Sequence, residues 1–274
     1  MKQLSVLIST INDRITSVPA MLLPEREDIV YVVSFQYSQP EFLEYIPEVL
    51  RQRQDVEIHP IEGVGVSANR NNAIQHCHTE LAVIADDDLV YTDESLTQLI
   101  HFFETHPQTD IVCCCVADMQ GTPLKKYATE PFSYEQRPYG TYFTSMEIAF
   151  RTSAPLPKFD TRFGLGSEYL ACGEEEVFLF QANRLGCRIS YEPIMLCRTL
   201  KRETTGTLFM TDRRVRRSKG AMLRMLYPRF SAALRCINEA LHLPRKASRI
   251  QFLRDMLDGI RYIEQGGIEA RFRP

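Results

Sequence analysis

Short apolar runs alternate with helix-like segments along the first two hundred residues. The strand-like runs are 4–9, 29–35, 56–58, 81–85 and 111–116. Helical spacing lies between them, over 40–51, 67–76 and 95–106. Strands that alternate with helices are typical of an α/β domain, and continuous apolar runs are typical of parallel strands buried on both faces. The pattern therefore predicts an α/β fold with a mostly parallel central sheet flanked by helices.

Polar residues follow three of these predicted strands. They are Asn12 and Asp13 after the first, Ser34 to Gln36 at the end of the second, and Asp86 to Asp88 after the fourth. The carboxyl ends of parallel strands meet at one edge of a sheet, which is where such sheets bind ligands. The pattern predicts one site at that edge.

The character of the chain changes after Gly206. Helical spacing covers 220–227, 230–241 and 248–263, and one apolar stripe contains Ile250, Leu253, Met256, Leu257, Ile260 and Ile263. We expect an α/β domain over 1–206 and a helical C-terminal region over 207–274. Two interpretations of that region stay open: it packs on the body, or it presents a basic amphipathic surface to a membrane.

Charge is distributed unevenly between these two parts. The 274 residues carry a formal net charge of −3, which does not indicate a nucleic-acid-binding protein. From Arg213 to Pro274, however, the chain has 15 Lys and Arg and only 5 Asp and Glu, which gives a net charge of +10. The preceding residues carry the balance of −13. The helical region is therefore the part suited to an anionic partner.

Membrane-spanning, secreted and zinc-binding classes find no support in the sequence. We see no apolar run near the roughly 18 residues of a membrane span, no signal-peptide pattern, and no CxxC among the eight cysteines. Cys113 to Cys115 lie inside an apolar run and are interpreted as reduced core residues. We expect a cytoplasmic location, with peripheral contact at the inner face of the cell membrane.

The acidic triplet Asp86-Asp87-Asp88 is the strongest chemical signal. Three adjacent carboxylates repel one another unless a cation is present, and their oxygens suit Mg²⁺ or Mn²⁺. A solvated acidic turn that caps the next helix is an equally good interpretation of the spacing alone.

Three further clusters carry candidate chemistry. Glu174 to Glu176 begin an apolar helix, where they either complement the helix dipole or supply a general base. Arg70 follows the glycines of 63–65, which allow a backbone to approach a phosphate. The basic run Arg213, Arg214, Arg216, Arg217 and Lys219 is either a solvated helix face or a clamp for a diphosphate or an anionic acceptor.

Taken in order, these pieces resemble a family-2 glycosyltransferase of the GT-A fold over about residues 3–206. The segments that carry the resemblance are 9–12 (STIN), 67–74 (SANRNNAI), 82–88 (AVIADDD), 159–164 (FDTRFG), 173–176 (GEEE), 184–186 (RLG) and 191–193 (YEP).

The resemblance implies a metal-dependent inverting glycosyltransferase that moves a sugar from a nucleotide-sugar donor to the hydroxyl of a glycan or lipid-linked acceptor. It implies a role in cell-surface polysaccharide or glycan synthesis. Mn²⁺ or Mg²⁺ would be held by Asp88 and Asp86, and Glu175 would be the base, with Glu174 beside it. The resemblance implies donor binding by Thr10, Asn12, Arg70 and Asp86. We expect Asp87 and Gln36 to bind the donor as well, Gln36 by a hydrogen bond to the nucleobase.

Several positions depart from the family pattern. Acidic residues usually follow the second strand, where this chain has Gln36, and the usual Glu-Asp pair is Glu174-Glu175. The family's histidine after the last strand is missing, and Lys201 or Arg202 is the candidate replacement for its charge on the diphosphate, with Arg213 and Arg214 as weaker candidates.

These departures keep a second function open, namely a degenerate GT-A protein that binds a nucleotide or a partner without transferring sugar. Two other phosphate-handling enzymes fit less well. A sugar nucleotidyltransferase needs a glycine-rich loop after the first strand, and an aspartyl-phosphatase needs its aspartates there. Residues 9–14 contain no glycine, and the acidic triplet follows the fourth strand.

Overall fold

The computed structural model describes residues 3–200, 205–244 and 248–266. The chain divides into two compact units. The sheet unit comprises Met1–Val64, Ala68–Leu156 and Ala182–Arg202, and the helical unit comprises Gly65–Ser67, Pro157–Gln181 and Glu203–Pro274. The domain boundary between 206 and 207 stays a prediction.

The sheet unit contains nine strands within the described residues. They are β1 (Leu4–Ile11), β2 (Ile29–Tyr37), β3 (Val56–Glu62), β4 (Leu81–Asp86), β5 (Leu89–Val90), β6 (Ile111–Asp118), β7 (Phe132–Ser133), β8 (Ile148–Arg151) and β9 (Ile189–Thr199). Their order is β3-β2-β1-β4-β8-β6-β9-β5, with β7 beside β9. The pairs β3–β2, β2–β1, β1–β4 and β6–β9 are parallel, which confirms the predicted mostly parallel sheet.

The short strand β8 was not predicted. It lies antiparallel between β4 and β6 and joins the two parallel parts of the sheet. Its four residues, Ile148–Arg151, are too few to give a periodic signal in the sequence.

Seven α-helices lie in the described residues. They are α1 (Glu48–Gln52), α2 (Val66–Gln75), α3 (Asp93–Thr105), α4 (Glu174–Arg184), α5 (Arg213–Leu226), α6 (Arg229–Leu241) and α7 (Arg249–Gln265). The helix predicted over 40–51 is instead a 3₁₀ segment, Pro40–Tyr45, followed by α1. Pro47 separates the two, because a proline disfavours helical backbone at the residue before it and Ile46 is extended.

Burial of the parallel strands accounts for the core of the sheet unit. All eight residues of β6 are buried, including Cys113, Cys114 and Cys115, none of which forms a disulfide. Burial raises the pKa of Cys114 well above its usual range. These cysteines therefore behave as small apolar core residues, as the sequence indicated.

Two glycines allow α5 and α7 to pack closely in the helical unit. A Cβ on Gly220 would lie 1.8 Å from the carbonyl oxygen of Met256, and one on Gly259 would lie 1.9 Å from that of Arg217. Ile260 and Ile263 of the predicted stripe are buried, whereas Ile250 is 67% exposed. Over the described ranges, no helix combines the length and apolar character needed to cross a bilayer.

Candidate functional site

The register of the parallel strands brings the predicted polar residues to one edge of the sheet unit. Ser9 of β1 pairs with Ser34 of β2 on one side and with Asp86 of β4 on the other. Ile11 pairs with Gln36. Thr10, Gln36 and Asp86 therefore lie at the carboxyl ends of three neighbouring strands, where ligands of such sheets bind.

Asp87 is committed to contacts inside the sheet unit. Its side chain is 3% exposed. Thr10 donates its hydroxyl to the Asp87 carboxylate at 2.7 Å, and Arg14 donates from Nε at 2.8 Å and again from Nη2. Ser17 donates to the Asp87 carbonyl at 2.8 Å. These bonds fix the 3₁₀ segment Asn12–Met21 against the acidic triplet.

Arg14 was missed by the sequence reasoning. The hydrogen bond to Asp87 is the main cause that raises its pKa, and the charges of Asp86 and Asp88 contribute further. Its position four residues after Thr10, at the end of the first strand, is the signal that was available. A permanent cation at this edge offsets part of the charge of the triplet.

Asp86 and Asp88 are more open than Asp87. Their side chains are 28% and 14% exposed. Arg70 donates from Nη2 to Asp86 at 3.1 Å, and the Arg14 guanidinium lies 3.9 Å from the Asp88 carboxylate. Carboxylate oxygens thus remain accessible at this edge.

The two open carboxylates fit a divalent cation. Mg²⁺ is commonly held by one or two carboxylates together with phosphate oxygens of the substrate. Among the described residues no cluster of three His, Cys, Asp or Glu is arranged to hold a metal ion. Asp86 and Asp88 are the residues that could hold such a cation together with the phosphate oxygens of a ligand.

Helix α2 supports this edge through consecutive residues. Asn69 donates its amide to the Thr10 carbonyl at 2.8 Å, and Arg70, whose side chain is 5% exposed, reaches Asp86. Asn12 has a positive φ of 52°, which asparagine tolerates, and its Oδ1 accepts from the Ser38 amide at 2.9 Å. The ends of β1, β2 and β4 are thereby fixed to one another.

The predicted base lies in the helical unit, at the first turn of α4. Glu174 is 5% exposed, and Glu175 is half-buried. Gly164, with φ +100°, allows Glu174 to approach, since a Cβ there would lie 3.1 Å from its carboxyl carbon. Burial, followed by the charge of Glu174, raises the pKa of Cys172 to about 12. Glu175 is the more accessible carboxylate of the pair.

The basic run on α5 is largely engaged within the helical unit. Arg213 donates to Asp255 at 2.8 Å and to Asp258 at 3.1 Å. Arg214 donates to Asp212 at 3.0 Å, and Arg216, 10% exposed, donates to Asp255 at 2.8 Å. Lys201 and Arg202, the other candidates for the clamp, lie outside the described residues.

A buried polar cluster in the sheet unit was also missed. The Glu147 carboxylate, 1% exposed, accepts from Lys125 at 2.9 Å, from the Tyr127 hydroxyl at 2.5 Å and from the Thr144 amide at 2.5 Å. Ser145 accepts from Arg70 at 2.7 Å. The Thr-x-x-Glu spacing of 144–147, which forms a capping box, was the available sequence signal.

Comparison with known proteins agrees with this geometry. The family model described as glycosyl transferase family 2 matches residues 8–161. Crystal structures of S. aureus TarS residues 1–349 match with a TM-score of 0.58 and 16% identity, covering 98% of this chain and 89% of that one. The same protein in complex with UDP-GlcNAc matches with a TM-score of 0.59 and 17% identity, over 98% and 83%. No curated protein matches the sequence.

The structural likeness at this identity establishes the fold, and the family match extends over more than half of the chain. The family match confirms the sequence-based expectation of a sugar-transferring enzyme, and the structural likeness confirms the mixed α/β scaffold. The chain therefore belongs to glycosyl transferase family 2 and is a glycosyltransferase of the GT-A fold.

Proposed function

We propose that this glycosyltransferase moves a sugar from a uridine-diphosphate sugar to a hydroxyl of a glycan or lipid-linked acceptor, with inversion at the anomeric carbon. The observation that best supports this proposal is the arrangement of the acidic triplet Asp86–Asp88. Its middle member is saturated by Thr10 and Arg14, while Asp86 and Asp88 keep accessible oxygens at the edge where such sheets bind ligands. The uridine assignment is supported by the matched TarS structures in complex with UDP-GlcNAc and with UDP.

Mn²⁺ or Mg²⁺ would be held by Asp88 and Asp86. When bound, such a cation offsets the charge that develops on a departing diphosphate. The residues of the chain complete the electrostatics, because Arg70 and Arg14 place two fixed positive charges beside the carboxylates.

The donor nucleoside would lie against the ends of β1 and β2. Thr10, Asn12 and Gln36 lie at those ends, and Arg70 lies on α2. Asp87 would contribute indirectly, by holding Thr10 and Arg14 in place. The anchored side chains have little freedom left to lose when a donor binds, which favours affinity.

Glu175 would take the proton of the acceptor hydroxyl, with Glu174 beside it. A half-buried carboxylate is accessible to an acceptor and is less hydrated than one in open solvent. The hydroxyl oxygen would then attack the anomeric carbon from the face opposite the leaving diphosphate. We expect Glu175→Gln to lower kcat with a small change in the affinity for UDP.

A donor screen tests this proposal. Nucleotide release from UDP-, GDP- and dTDP-sugars would be measured with Mn²⁺, with Mg²⁺ and with excess chelator, alongside thermal shift with each nucleoside diphosphate. We expect metal-dependent release from a UDP-sugar and stabilisation by UDP. Stabilisation by a nucleotide without turnover of any donor would favour the degenerate GT-A alternative instead.

We also propose a role in cell-surface glycan synthesis, with peripheral contact between the helical unit and an anionic membrane. Helix α6 presents an exposed apolar row at helical spacing, formed by Phe230, Leu234, Ile237 and Leu241, which are 77%, 50%, 41% and 59% exposed. The net charge of +10 from Arg213 onward suits anionic lipid headgroups. Arg213, Arg214 and Arg216 of the basic run pair with aspartates of the helical unit. The apolar row of α6 is therefore the better candidate for the membrane contact.

Vesicle co-sedimentation tests the membrane contact. We expect binding to vesicles of phosphatidylglycerol and phosphatidylcholine, and a loss of at least fivefold when Phe230 and Leu234 are both replaced by Gln. A matched double variant, Tyr45→Gln with Val49→Gln, removes similarly exposed apolar side chains from the sheet unit and should bind normally. Equal binding by all three proteins, or a dimer that the α6 variant dissociates, would contradict the proposal.

A further inference from the structure

The segment between β6 and β8, residues 119–147, contains an ion pair between Lys125 and Glu147. The side chains of Lys125 and Glu147 are 17% and 1% exposed, and their charged atoms are 2.9 Å apart. Lys125 also donates to the Tyr142 carbonyl, and its ammonium lies 4.1 Å from the centroid of the Tyr142 ring. The rings of Tyr127 and Phe143 lie 5.2 Å away. The aromatic rings attract the ammonium and add to the ion pair that holds it.

Glu147 closes the turn that ends this segment. Its carboxylate accepts from the Thr144 amide at 2.5 Å and from the Thr144 hydroxyl at 3.1 Å, in addition to Lys125 and Tyr127. Tyr127 in turn accepts from the Val116 amide of β6 at 3.1 Å. The backbone of the turn is therefore fixed to both the sheet and the segment by bonds to one charged group.

Ser145 lies inside this turn and contacts the donor edge. It is 2% exposed, and its Oγ accepts from Nη2 of Arg70 at 2.7 Å. The same Nη2 donates to Asp86 at 3.1 Å. One nitrogen of the buried guanidinium therefore joins the serine hydroxyl to the Asp86 carboxylate.

We propose that Ser145 is a positioning residue that holds Arg70 against Asp86, and that Glu147 keeps Ser145 in place. The residues 119–147 thereby set the affinity of the enzyme for the nucleoside diphosphate. This inference rests on the proposed function, which assigns Arg70 and Asp86 to the donor. Neither Ser145 nor Glu147 is assigned there to contact with substrate.

The direct test is Ser145→Ala, with the affinity for UDP in the presence of Mn²⁺ measured by calorimetry. This change removes one hydrogen bond between the neutral Ser145 hydroxyl and the charged guanidinium of Arg70. We therefore expect a three- to tenfold weaker affinity for UDP and a similar rise in KM for the donor. The value of kcat at saturating donor should change less than twofold. Ser145→Thr keeps the hydroxyl and should restore most of the affinity.

A double-mutant cycle separates positioning from general structural damage. In an Arg70→Ala background, Ser145→Ala should have no further effect on the affinity for UDP, because the residue through which it acts is gone. Glu147→Gln should weaken UDP binding in the same direction and also lower Tm. If the Ser145→Ala protein does not fold, the affinity of the Glu147→Gln protein for UDP tests the proposal in its place.

Glu80→Gln is the matched control. It removes the ion pair of Glu80 with Arg151 at the other end of β8, 2.7 Å long, without touching Arg70. Its UDP affinity should equal that of the wild type. The proposal is overturned if Ser145→Ala binds UDP normally, or if its effect is equally large in the Arg70→Ala background. If the wild type neither binds UDP nor releases a nucleotide from any donor, the proposed function itself fails and the inference fails with it.

Discussion

Each unit of the chain holds carboxylates against arginines, with different consequences. In the helical unit, Asp255 is fully buried and accepts from Arg213 and Arg216 at 2.8 Å and from Gln251 at 2.9 Å. In the sheet unit, Asp86 has one arginine at 3.1 Å and is 28% exposed. The buried carboxylate of Asp255 holds α5 and α7 together, whereas the carboxylate of Asp86 stays partly exposed to solvent.

The difference shows that a count of charges does not locate a site. The basic run of α5 and the acidic triplet after β4 are equally conspicuous in the sequence. Arg213 and Arg216 are used to pair Asp255, so they belong to the packing of the helical unit. Even within the triplet, the side chain of Asp87 is 3% exposed, whereas those of Asp88 and Asp86 are 14% and 28% exposed. Exposure distinguishes the two kinds of carboxylate.

Replacing an open carboxylate should produce the largest effect on activity. We expect Asp88→Ala to reduce sugar transfer at least about a thousandfold, a loss of roughly 4 kcal/mol of transition-state stabilisation. The change in Tm should be small, because the Asp88 side chain is 14% exposed, whereas that of Asp87 is 3% exposed. Nucleotide release with Mn²⁺ and a thermal melt measure the two quantities.

Asp93→Ala is the control for this variant. Asp93 is 61% exposed, begins α3 and pairs with Arg26 at 3.2 Å, so its loss removes a carboxylate of the same unit away from the edge. Full transfer activity in Asp88→Ala, or equal losses in both variants, would remove the distinction between the open carboxylates and the others.

Replacing Asp255, the buried carboxylate, should lower stability and leave activity nearly unchanged. Asp255→Asn leaves two arginines facing a neutral amide, and breaking a buried pair of this kind typically costs 3–5 kcal/mol. We expect the free energy of unfolding from urea titration to fall by about 3 kcal/mol, with kcat and the donor KM of the folded protein within twofold of wild type.

Asp258→Asn provides the comparison within the same helix. Asp258 is 24% exposed and pairs with Arg213 and Arg261 at 3.1 Å, so its loss should cost less than about 1 kcal/mol. Equal losses of stability at the two positions would show that burial is not what distinguishes Asp255.

Most of the sheet was predictable from the sequence, because parallel strands buried on both faces give continuous apolar runs. The family was predictable because the segments that resemble it follow one another in order along the chain. The 29–35 and 81–85 runs correspond to β2 and β4. Strand β8 was not predicted, since four residues are too few to show a periodic pattern of apolar positions. Its place between β4 and β6 depends on pairing with residues distant in the sequence. The candidate site followed from strand ends, which are local features of a chain.

The partners of the site residues were not predictable. Arg14 reaches Asp87 across 73 residues, and Arg70 reaches Ser145 across 75. No local pattern encodes such pairs. The exposure that separates Asp87 from Asp88 is likewise a result of tertiary packing. The spacing alone gave three adjacent carboxylates, and only the family resemblance assigned Asp88 and Asp86 to a metal.

Acid should weaken the contribution of Asp255, which is the smallest effect expected. Burial by itself raises the pKa of Asp255, but hydrogen bonds from Arg216, Arg213 and Gln251 outweigh it, so the pKa lies below the ordinary value of 3.8. A carboxyl whose pKa is lower in the folded state stabilises the fold above its unfolded pKa and loses that contribution as the pH falls through the folded value.

The difference in unfolding free energy between wild type and Asp255→Asn should therefore be constant from about pH 5 to 8 and shrink below about pH 4. Asp212, whose pKa is lowered chiefly by its hydrogen bond from Arg214, titrates in both proteins and cancels in the difference. Urea titrations of both proteins between pH 2.5 and 8 provide the measurement. A difference that stays constant into acid would mean that the ionised form of Asp255 is not what the two arginines stabilise, and that its role is one of shape alone.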